Sequence, residues 1–370
     1  MKKNIFLFLS IFSIFIYSCK SEKTIQEQKV NKQAIVDSTI TAFQKKLYES
    51  QIDSIVKKYN FNGSVALFKD SVDIYRKNIG FANFKTKAKI DSSTIFAIGS
   101  ISKQFTAVLI LKEIEKGTLK LEDTVSQYLK EFQTKEYENI TIKQLLNHTS
   151  GMNLMGQRLM FKSGEDFNYS NDGYNALGKV LENITQKSFD ENALELFKNV
   201  GLQNTFTADL YQGKNFGSAY LGDSKQQQEL PNMPKRLSGK DVGTPAGGIL
   251  STIDDLHLWN QKLYTGKIIK PETLKAMTTK SATRMHQIFG KMGYGLGIML
   301  NDKKPLAYFH SGYVKGSASL NIYYPETKTS VIILSNLADE GKGKNSIFKP
   351  HIDIKSSTDH LENTAIQFKK

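Results

Sequence analysis

The sequence predicts an α/β protein of the α+β type, in which both ends of the chain build one sheet and a helical lobe is inserted between them. Two observations carry this prediction. Short runs rich in β-branched and aromatic residues, bounded by turn residues, occur near the front of the chain and again near its far end. From Ser100 to about Leu263 the chain instead has helical spacing and long loops. This order of elements favours one sheet with helices inserted in its middle.

The predicted strands of this sheet are short apolar segments between turn residues. They are Ser64–Phe68, Asp73–Phe81, a segment near Tyr294–Ile298, Gly316–Tyr324 and Thr329–Asn336. A turn at residues 69–71 separates the first two, and Pro325–Lys328 links the last two. Apolar residues also recur at helical spacing from Ile35 to Tyr59, which predicts a leading helix.

The first residues predict export. Residues 1–18 combine two lysines with an apolar run from Ile5 to Tyr17. This pattern is typical of a signal peptide, and the run is shorter than a membrane-spanning helix needs. Cys19, the only cysteine, follows in a position that resembles a bacterial lipobox, whose cysteine is lipidated. We therefore expect a lipoprotein anchored by Cys19 to a bacterial membrane and facing the periplasm or the exterior. The alternative is an ordinary signal peptide with a coincidental cysteine.

The segment after Cys19 and the charge of the chain narrow the class of partner. Residues 19–33 are polar and nearly free of large apolar side chains, so they predict a tether. A formal net charge of +14 could suit nucleic acid. The lysines are scattered, however, export is predicted, and no nucleic-acid-binding motif is present. We expect a solvated basic surface beside anionic lipid or cell-wall polymers, and no nucleic-acid partner.

Ser100 and Lys103 form an S-x-x-K tetrad at the start of a predicted helix. A serine hydroxyl needs a neighbouring base to become a nucleophile, and residues three apart share one face of a helix. The helical rhythm continues to Gly117, which is a plausible stop. The tetrad alone recurs often by chance, so it needs support from elsewhere in the chain.

A second motif, Tyr169-Ser-Asn171, precedes another helix-like stretch. A nearby ammonium favours the ionised form of a phenol, so Tyr169 could exchange protons with Ser100 and with a leaving group. Asn171 could hydrogen-bond Lys103 or a substrate amide. The alternative is a surface turn ahead of a helix, capped by Asn171 or Asp172.

A third motif, His310-Ser-Gly312, lies in the strand region at the far end. A strand with a small residue can lie alongside a substrate, and its backbone N–H groups can stabilise a developing oxyanion. The alternative for His310 is a half-buried strand residue with one satisfied hydrogen bond. The remaining histidines lack metal-site spacing, so we expect no metal and no cofactor.

Together, and in this order, the three motifs identify a resemblance to the serine β-lactamase and penicillin-binding protein superfamily, specifically its class C β-lactamase-like branch. That branch carries S-x-x-K, then Y-x-N, then K-T-G or H-x-G. Three further segments are similar to those of the family: Ile140–Gly151, Pro245–Leu256 and Tyr294–Ile298. The resemblance covers about Ile52 to Asn336. It implies a mainly antiparallel sheet flanked by helices, with the active site in a cleft beside the helical lobe.

The resemblance also implies a role for each motif residue. Ser100 would attack a carbonyl and form an acyl-enzyme, which water would release. Lys103 and Tyr169 would share the base and acid roles, and the order in which they act is disputed in related enzymes. Asn171, His310, Gly312 and Tyr313 would contact the substrate, and the backbone N–H groups of Ser100 and Tyr313 would form the oxyanion hole.

Two features depart from the family pattern. His310 stands where β-lactamases of this branch have lysine, and at its ordinary pKa of about 6.5 it would be mostly uncharged at neutral pH. We therefore expect poor turnover of penicillins and better binding of carboxylates as the pH falls toward 6. The tail beyond Asn336 is rich in lysine and broken by Pro350 and two glycines, so we expect a closing helix that is displaced to 358–369 or poorly formed.

The predicted organisation is a signal peptide over 1–18, a tether over 19–33, a hydrolase domain over 34–336 and an atypical basic segment over 337–370. Three functions remain open. The first is a cell-envelope hydrolase of peptide, amide or ester bonds, such as a D-amino-acid peptidase or an esterase. The second is a true β-lactamase, and the third is a non-catalytic protein that binds envelope peptides. The intact motifs argue against the third.

Overall fold

The computed structural model describes residues 35, 38, 39, 41–231, 233–237, 242–301 and 303–368. The predicted signal peptide, Cys19 and the tether lie outside the described residues. The chain divides into two compact units, Met1–Ser50 and Gln51–Lys370. In the first unit residues 41–50 are helical, and the second begins with helix α1 over residues 51–58. These helical residues agree with the leading helix that the apolar residues between Ile35 and Tyr59 predict.

The second unit contains all the strands of the described chain. They are β1 (Gly63–Lys69), β2 (Val72–Ile79), β3 (Phe81–Asn83), β4 (Ala88–Lys89), β5 (Phe96–Ala97), β6 (Phe206–Thr207), β7 (Tyr220–Gly222), β8 (Gln227–Glu229), β9 (Ile249–Ser251), β10 (Ala282–His286), β11 (Gly290–Tyr294), β12 (Met299–Asn301), β13 (Ala307–Val314), β14 (Ser317–Tyr324), β15 (Thr329–Ser335) and β16 (Leu337–Ala338).

The further helices of this unit are α2 (Ser102–Lys116), α3 (Ile142–Leu146), α4 (Asn171–Thr185), α5 (Phe189–Val200), α6 (Thr244–Gly247), α7 (Ile253–Leu263), α8 (Pro271–Thr278), α9 (Lys344–Ile347) and α10 (Lys349–Phe368). Within the described part of the chain, no helix is both long enough and apolar enough to cross a membrane.

The main sheet joins the two ends of the chain, as the sequence predicts. Its eight strands have the order β10-β11-β12-β13-β14-β15-β1-β2, and every pairing is antiparallel. Strand β1 lies between β2 and β15, with Val65 opposite Ile333. The continuous buried run of β1 is typical of a strand that is covered on both faces. Asp70 adopts a positive φ of 54° in the turn before β2.

Helices cover both faces of this sheet. Asn321 on β14 exchanges two hydrogen bonds with Asn260 of α7, at 2.7 and 2.8 Å. Tyr324, three residues further along the same strand, hydrogen-bonds Thr358 of α10 at 2.9 Å. Because side chains alternate between the two faces of a strand, α7 and α10 lie on opposite sides of the sheet.

Helix α2 forms the centre of the core that positions the candidate site. Its residues from Ser102 to Leu111 are buried, and a helix that is buried all round belongs in the interior of a large domain. The ring of Phe105 stacks on Trp259 of α7 with 4.0 Å between centroids. The helix ends at Gly117, whose φ is 79°, so the predicted stop is confirmed.

The expectation of a displaced or poorly formed closing helix is wrong, because α10 spans 20 residues from Lys349. Pro350 is its second residue, and proline is tolerated in the first turn, where no backbone donor is lost. The buried side of α10 mixes polar residues with apolar ones such as Ile354. His351, Thr358 and Glu362 are at most 3% exposed, so an apolar periodicity does not reveal this face.

Candidate active site

Ser100 lies in a short 3₁₀ turn, Gly99–Ile101, which leads directly into α2. The turn is held by Ser102, whose hydroxyl donates to the carbonyl of Gly99 at 2.6 Å and accepts from the N–H of Ile249 at 3.1 Å. Gly99 has a φ of +51°, a conformation that L-residues adopt rarely. The result is a half-buried serine at the entry of a rigid helix, as the tetrad predicts.

Lys103 is fully buried beneath Ser100. Its Nζ lies 3.4 Å from Oγ of Ser100, and it donates to Oδ1 of Asn171 at 2.8 Å and to the carbonyl of Ala246 at 2.7 Å. Burial lowers the pKa of the Lys103 amine, and the proximity of Tyr169 partly opposes this shift. A buried ammonium is costly, so the amine is neutral at a lower pH than a lysine in water. A neutral amine can accept the serine proton.

Tyr169 lies in the loop before α4, with its ring beside Lys103. The Nζ of Lys103 is 4.8 Å from the centroid of the phenol ring, and the ring of His148 is 4.3 Å from it. His148 holds this loop, because its carbonyl accepts from the N–H of Asn168 at 2.8 Å and its Nδ1 accepts from the N–H of Ser170 at 3.2 Å. The first two motifs therefore meet in space.

Asn171 is the first residue of α4, and the helix is capped by Ser170, not by Asn171 or Asp172. The Ser170 hydroxyl accepts from the N–H of Gly173 at 3.0 Å, as N-cap serines do. This leaves Oδ1 of Asn171 available to Lys103. The start of α4 therefore supplies one of the acceptors that orient the lysine.

His310 is buried, and both of its ring nitrogens are used within the protein. Nδ1 lies 2.7 Å from the carbonyl of Ser311 and Nε2 lies 3.0 Å from the hydroxyl of Tyr294. A carbonyl only accepts, so Nδ1 carries the proton and Nε2 accepts from the tyrosine. The alternative of a half-buried histidine with one hydrogen bond is therefore wrong.

The electrostatic surroundings keep His310 neutral. Burial, with the positive charges of Lys103 and Arg284, lowers the pKa of the His310 imidazole well below its usual value, against a raising effect of the Ser311 carbonyl. A lowered pKa means that the ring stays uncharged to a lower pH than a histidine in water. The assumption of an ordinary histidine pKa, on which the expected gain in carboxylate binding toward pH 6 rests, is therefore wrong.

Gly312 allows β13 to touch the turn that carries Ser100. A Cβ at Gly312 would stand 1.9 Å from the carbonyl oxygen of Ile98, closer than any real contact. The Ser319 hydroxyl donates to the same carbonyl at 2.7 Å. On the turn itself, a Cβ at Gly99 would stand 2.8 Å from the backbone N of Tyr313. The backbones of Ser100 and Tyr313 are thus neighbours, as an oxyanion hole requires, and that role stays a prediction.

We expect Gly312→Ala to destabilise the protein and to lower its hydrolytic activity strongly. The added methyl group must push β13 away from the Ser100 turn, and overpacking of this kind costs about 1–3 kcal/mol. Thermal unfolding and kcat/KM for an activated ester are the measurements. Gly341→Ala is the matched control, since its methyl would meet only a side-chain oxygen of Asp339, at 3.3 Å. Unchanged unfolding and activity in Gly312→Ala would contradict the close approach.

Arg284 is a functional candidate that the sequence reasoning missed. It lies on β10, and its guanidinium carbon is 4.3 Å from the centroid of the Tyr169 ring. No motif marks this position. The carbonyl of Ala246 and the ring of His148 were also missed as site groups, although both lie in segments that resemble the family. Their segments could be recognised from the family resemblance, but the resemblance did not show that these two groups contact Lys103 and Tyr169.

The arrangement can perform nucleophilic acyl transfer. It combines a serine at a helix entry, a buried amine with a lowered pKa, a phenol beside that amine and a strand, β13, that closely approaches the turn carrying the serine. Nucleophile, base and oxyanion donors are the parts that such a reaction needs. In the described part of the chain, no three His, Cys, Asp or Glu residues are grouped as metal ligands.

Comparisons with known proteins agree with this geometry. A family model described as Beta-lactamase matches residues 42–348. Protein flp of Staphylococcus aureus (strain MW2) is 26% identical over 330 residues, which is 79% of this chain and 64% of that protein. The chain thus spans less than two thirds of the length of Protein flp.

Two further similarities cover more of the matched protein. Penicillin-binding protein 4* of Bacillus subtilis (strain 168) is 26% identical over 368 residues, which is 88% of this chain and 80% of that protein. Among solved structures, the octameric penicillin-binding protein homologue from Pyrococcus abyssi has a TM-score of 0.72 and 25% identity, over 87% of this chain and 77% of that chain.

Proposed function

Because the chain belongs to the Beta-lactamase family, we propose that it is a cell-envelope hydrolase that cleaves a peptide, amide or ester bond through an acyl-enzyme on Ser100. As a member of the β-lactamase and penicillin-binding protein superfamily it is a serine hydrolase. The finer assignment, to the class C β-lactamase-like branch and to this substrate class, is our proposal. The observation that supports the acyl-enzyme mechanism is the buried amine of Lys103, which lies 3.4 Å from Oγ of Ser100.

The reaction proceeds in two halves. In the first, Oγ of Ser100 attacks the substrate carbonyl carbon while its proton passes to Lys103 or Tyr169. The tetrahedral oxyanion is stabilised by the N–H groups of Ser100 and Tyr313. The bond to the leaving nitrogen or oxygen then breaks, and that atom receives the proton. In the second half water attacks the acyl-enzyme, with the same groups exchanging the proton in reverse.

Neutral His310 favours this function over a dedicated β-lactamase. In the K-T-G enzymes a lysine presents a fixed charge to the cleft, whereas here the third motif carries an uncharged ring with both nitrogens occupied. Charge-assisted hydrogen bonds are roughly twice as strong as neutral ones. A true β-lactamase remains the second candidate, supported by the family and by the penicillin-binding names of two similar proteins.

The test of the mechanism is covalent labelling. The purified protein is treated with a fluorophosphonate and, separately, with a fluorescent penicillin, and mass spectrometry finds the modified residue. We expect the fluorophosphonate on Ser100. Rapid turnover of the penicillin would favour the β-lactamase, and labelling of a residue other than Ser100 would overturn the acyl-enzyme assignment.

We further propose that Cys19 is lipidated and anchors the protein to the outer face of a bacterial membrane. The apolar run that ends before Cys19 and the polar segment behind it support this location. Stable anchoring needs more than one acyl chain, which bacterial lipoproteins carry on this cysteine. Cys19→Ala should leave the precursor uncut by the lipoprotein peptidase. A wild-type protein that is soluble and unacylated in the periplasm would contradict the proposal.

A further inference from the structure

A cavity of about 410 Å³ lies between α10 and the part of the main sheet formed by β11, β12 and β13. Phe309 and His310 are consecutive on β13, so their side chains point to opposite faces of the sheet. His310 faces the active site, where it hydrogen-bonds Tyr294, whereas the ring of Phe309 lies 4.7 Å from Nζ of Lys355 on α10. The cavity therefore lies on the α10 face of the sheet, behind the strand that carries the third motif.

Part of the cavity wall is apolar. The ring of Phe289, in the turn between β10 and β11, packs edge-on against Phe309 with 5.8 Å between their centroids. Ile352 of α10 is half-buried beside the same space. The apolar lining residues are Ile288, Phe289, Met292, Pro305, Phe309 and Ile352. Small-molecule sites typically enclose roughly 300–1,000 Å³, so the cavity has the size of a ligand site.

The polar part of the lining is cationic. It contains four lysines, Lys291, Lys303, Lys304 and Lys355. Asp359 is the one carboxylate among the described lining residues, and it accepts from Lys355 at 2.6 Å and from the hydroxyl of Tyr324 at 2.7 Å. The other three lysines are exposed, and no carboxylate of the described residues forms an ion pair with them. Their charge is therefore available to a ligand.

The positive charge remains in excess when the neighbouring sequence is counted. Asp302 lies between Asn301 and Lys303 in the sequence and outside the described residues, and with it four lysines stand against two carboxylates. An isolated exposed lysine gains little from an anion in water. Several cations around one concavity with a low-dielectric wall attract anions much more strongly. Lys355, whose pKa is lowered by burial, would also be stabilised by a second anion.

We propose that this cavity binds a small anionic amphiphile, that is, a molecule with one carboxylate or phosphate group on an alkyl chain. The anionic group lies among Lys291, Lys303 and Lys304, and the chain packs against Phe289 and Phe309. A free anion would leave the apolar wall in water, and a neutral lipid would leave the lysines without an anion, so the lining favours a ligand with both parts. The site is independent of the proposed hydrolysis, because none of these side chains belongs to the three motifs.

Calorimetric titration tests the class of ligand. The purified protein is titrated with octanoate, octyl phosphate, octanamide and inorganic phosphate. We expect octanoate and octyl phosphate to bind about 10- to 100-fold more tightly than octanamide, because they add charge-assisted contacts. Octyl phosphate should exceed inorganic phosphate by a similar factor, because it also buries its chain. Equal affinities of octanoate and octanamide, or of the two phosphates, would overturn the proposal.

A combined variant tests the lysines. Lys291→Gln, Lys303→Gln and Lys304→Gln together should lower the octanoate affinity about 10- to 100-fold, to the level of octanamide, while octanamide binding stays unchanged. The control removes three exposed lysines that do not line the cavity: Lys120→Gln, Lys225→Gln and Lys275→Gln. It should bind octanoate as the wild type does. An equal loss in both variants would mean a general effect of net charge, and it would overturn the site.

Ser356→Trp tests the location of the bound molecule. Ser356 is an exposed residue of α10 that lines the cavity, so an indole at this position fills the space without removing a core side chain. Octanoate binding should be lost while the unfolding temperature stays close to the wild-type value. An unchanged affinity for octanoate would place the binding elsewhere and would contradict the proposal.

Two further measurements separate this site from the active site and from a membrane contact. Protein that carries a fluorophosphonate on Ser100 should bind octanoate as before, and a loss of binding would mean that octanoate occupies the active site instead. Co-sedimentation with phosphatidylglycerol vesicles is the second measurement. If the lysine substitutions weakened binding to the vesicles but left octanoate binding unchanged, the lysines would form a membrane-contact surface, and the ligand site would be overturned.

Discussion

Replacing Ser100 with alanine is expected to abolish covalent labelling and to lower kcat by about 10³- to 10⁶-fold, as removal of the nucleophile does in serine proteases. The hydroxyl is the group that the proposed mechanism acylates. Among the described residues, the Ser100 hydroxyl takes part in one hydrogen bond, a long one from Lys103 at 3.4 Å. The variant should therefore unfold at nearly the wild-type temperature. Steady-state kinetics with an activated ester and fluorophosphonate labelling are the measurements.

Ser102→Ala is the matched control for this experiment. Ser102 lies two residues further along and is fully buried, with its hydroxyl bonded to Gly99 and to Ile249. Loss of these bonds should destabilise the protein by about 1–3 kcal/mol, the cost of leaving a buried polar group unsatisfied. Labelling of Ser100 should persist at a reduced rate, because Ser102 holds the turn that carries Ser100 but does not itself form the acyl bond. Hydrolysis that survives in Ser100→Ala would end the acyl-enzyme mechanism.

Lys103→Met is expected to have the second largest effect, a loss of kcat of at least about 10²- to 10⁴-fold, the usual contribution of a general base. Methionine retains much of the buried stem and removes the amine that lies next to Ser100. The wild-type rate should rise with pH as the amine loses its proton, and burial places this rise below the ordinary lysine pKa of 10.5. In Lys103→Met this part of the pH–rate profile should disappear.

A second nearly buried lysine provides the control. Lys355 on α10 is 6% exposed and pairs with Asp359 at 2.6 Å, and burial lowers its pKa as well. Lys355→Met removes the cation that pairs with Asp359, so it should lower the unfolding temperature while kcat stays close to the wild-type value. If Lys103→Met kept the wild-type kcat and pH profile, Lys103 would not be the base, and Tyr169 would be left in that role.

Much of the fold could be predicted from turn residues and helix-stop signals that lie close together in the sequence. The segments around residues 69–71 and Pro325–Lys328 predicted turns between strands, and β1–β2 and β14–β15 are antiparallel pairs joined there. The helix after Ser100 ends at Gly117 as its stop signal indicates. The start and length of the closing helix α10 were predicted wrongly because several of its buried positions, including His351 and Thr358, are polar. These polar residues are buried against the sheet, and a search for apolar residues at helical spacing does not detect them.

The sequence by itself determined the fold class, the family resemblance and the identity of the nucleophile candidate, because each rests on residue types at short, fixed spacings. The tertiary structure decided the rest of the site. In the folded chain Ala246 and Asn171 accept hydrogen bonds from the amine of Lys103. Both ring nitrogens of His310 take part in hydrogen bonds, and the guanidinium of Arg284 lies beside the ring of Tyr169. Burial and the proximity of charges determine pKa values and free donors, and both depend on residues far apart in the chain.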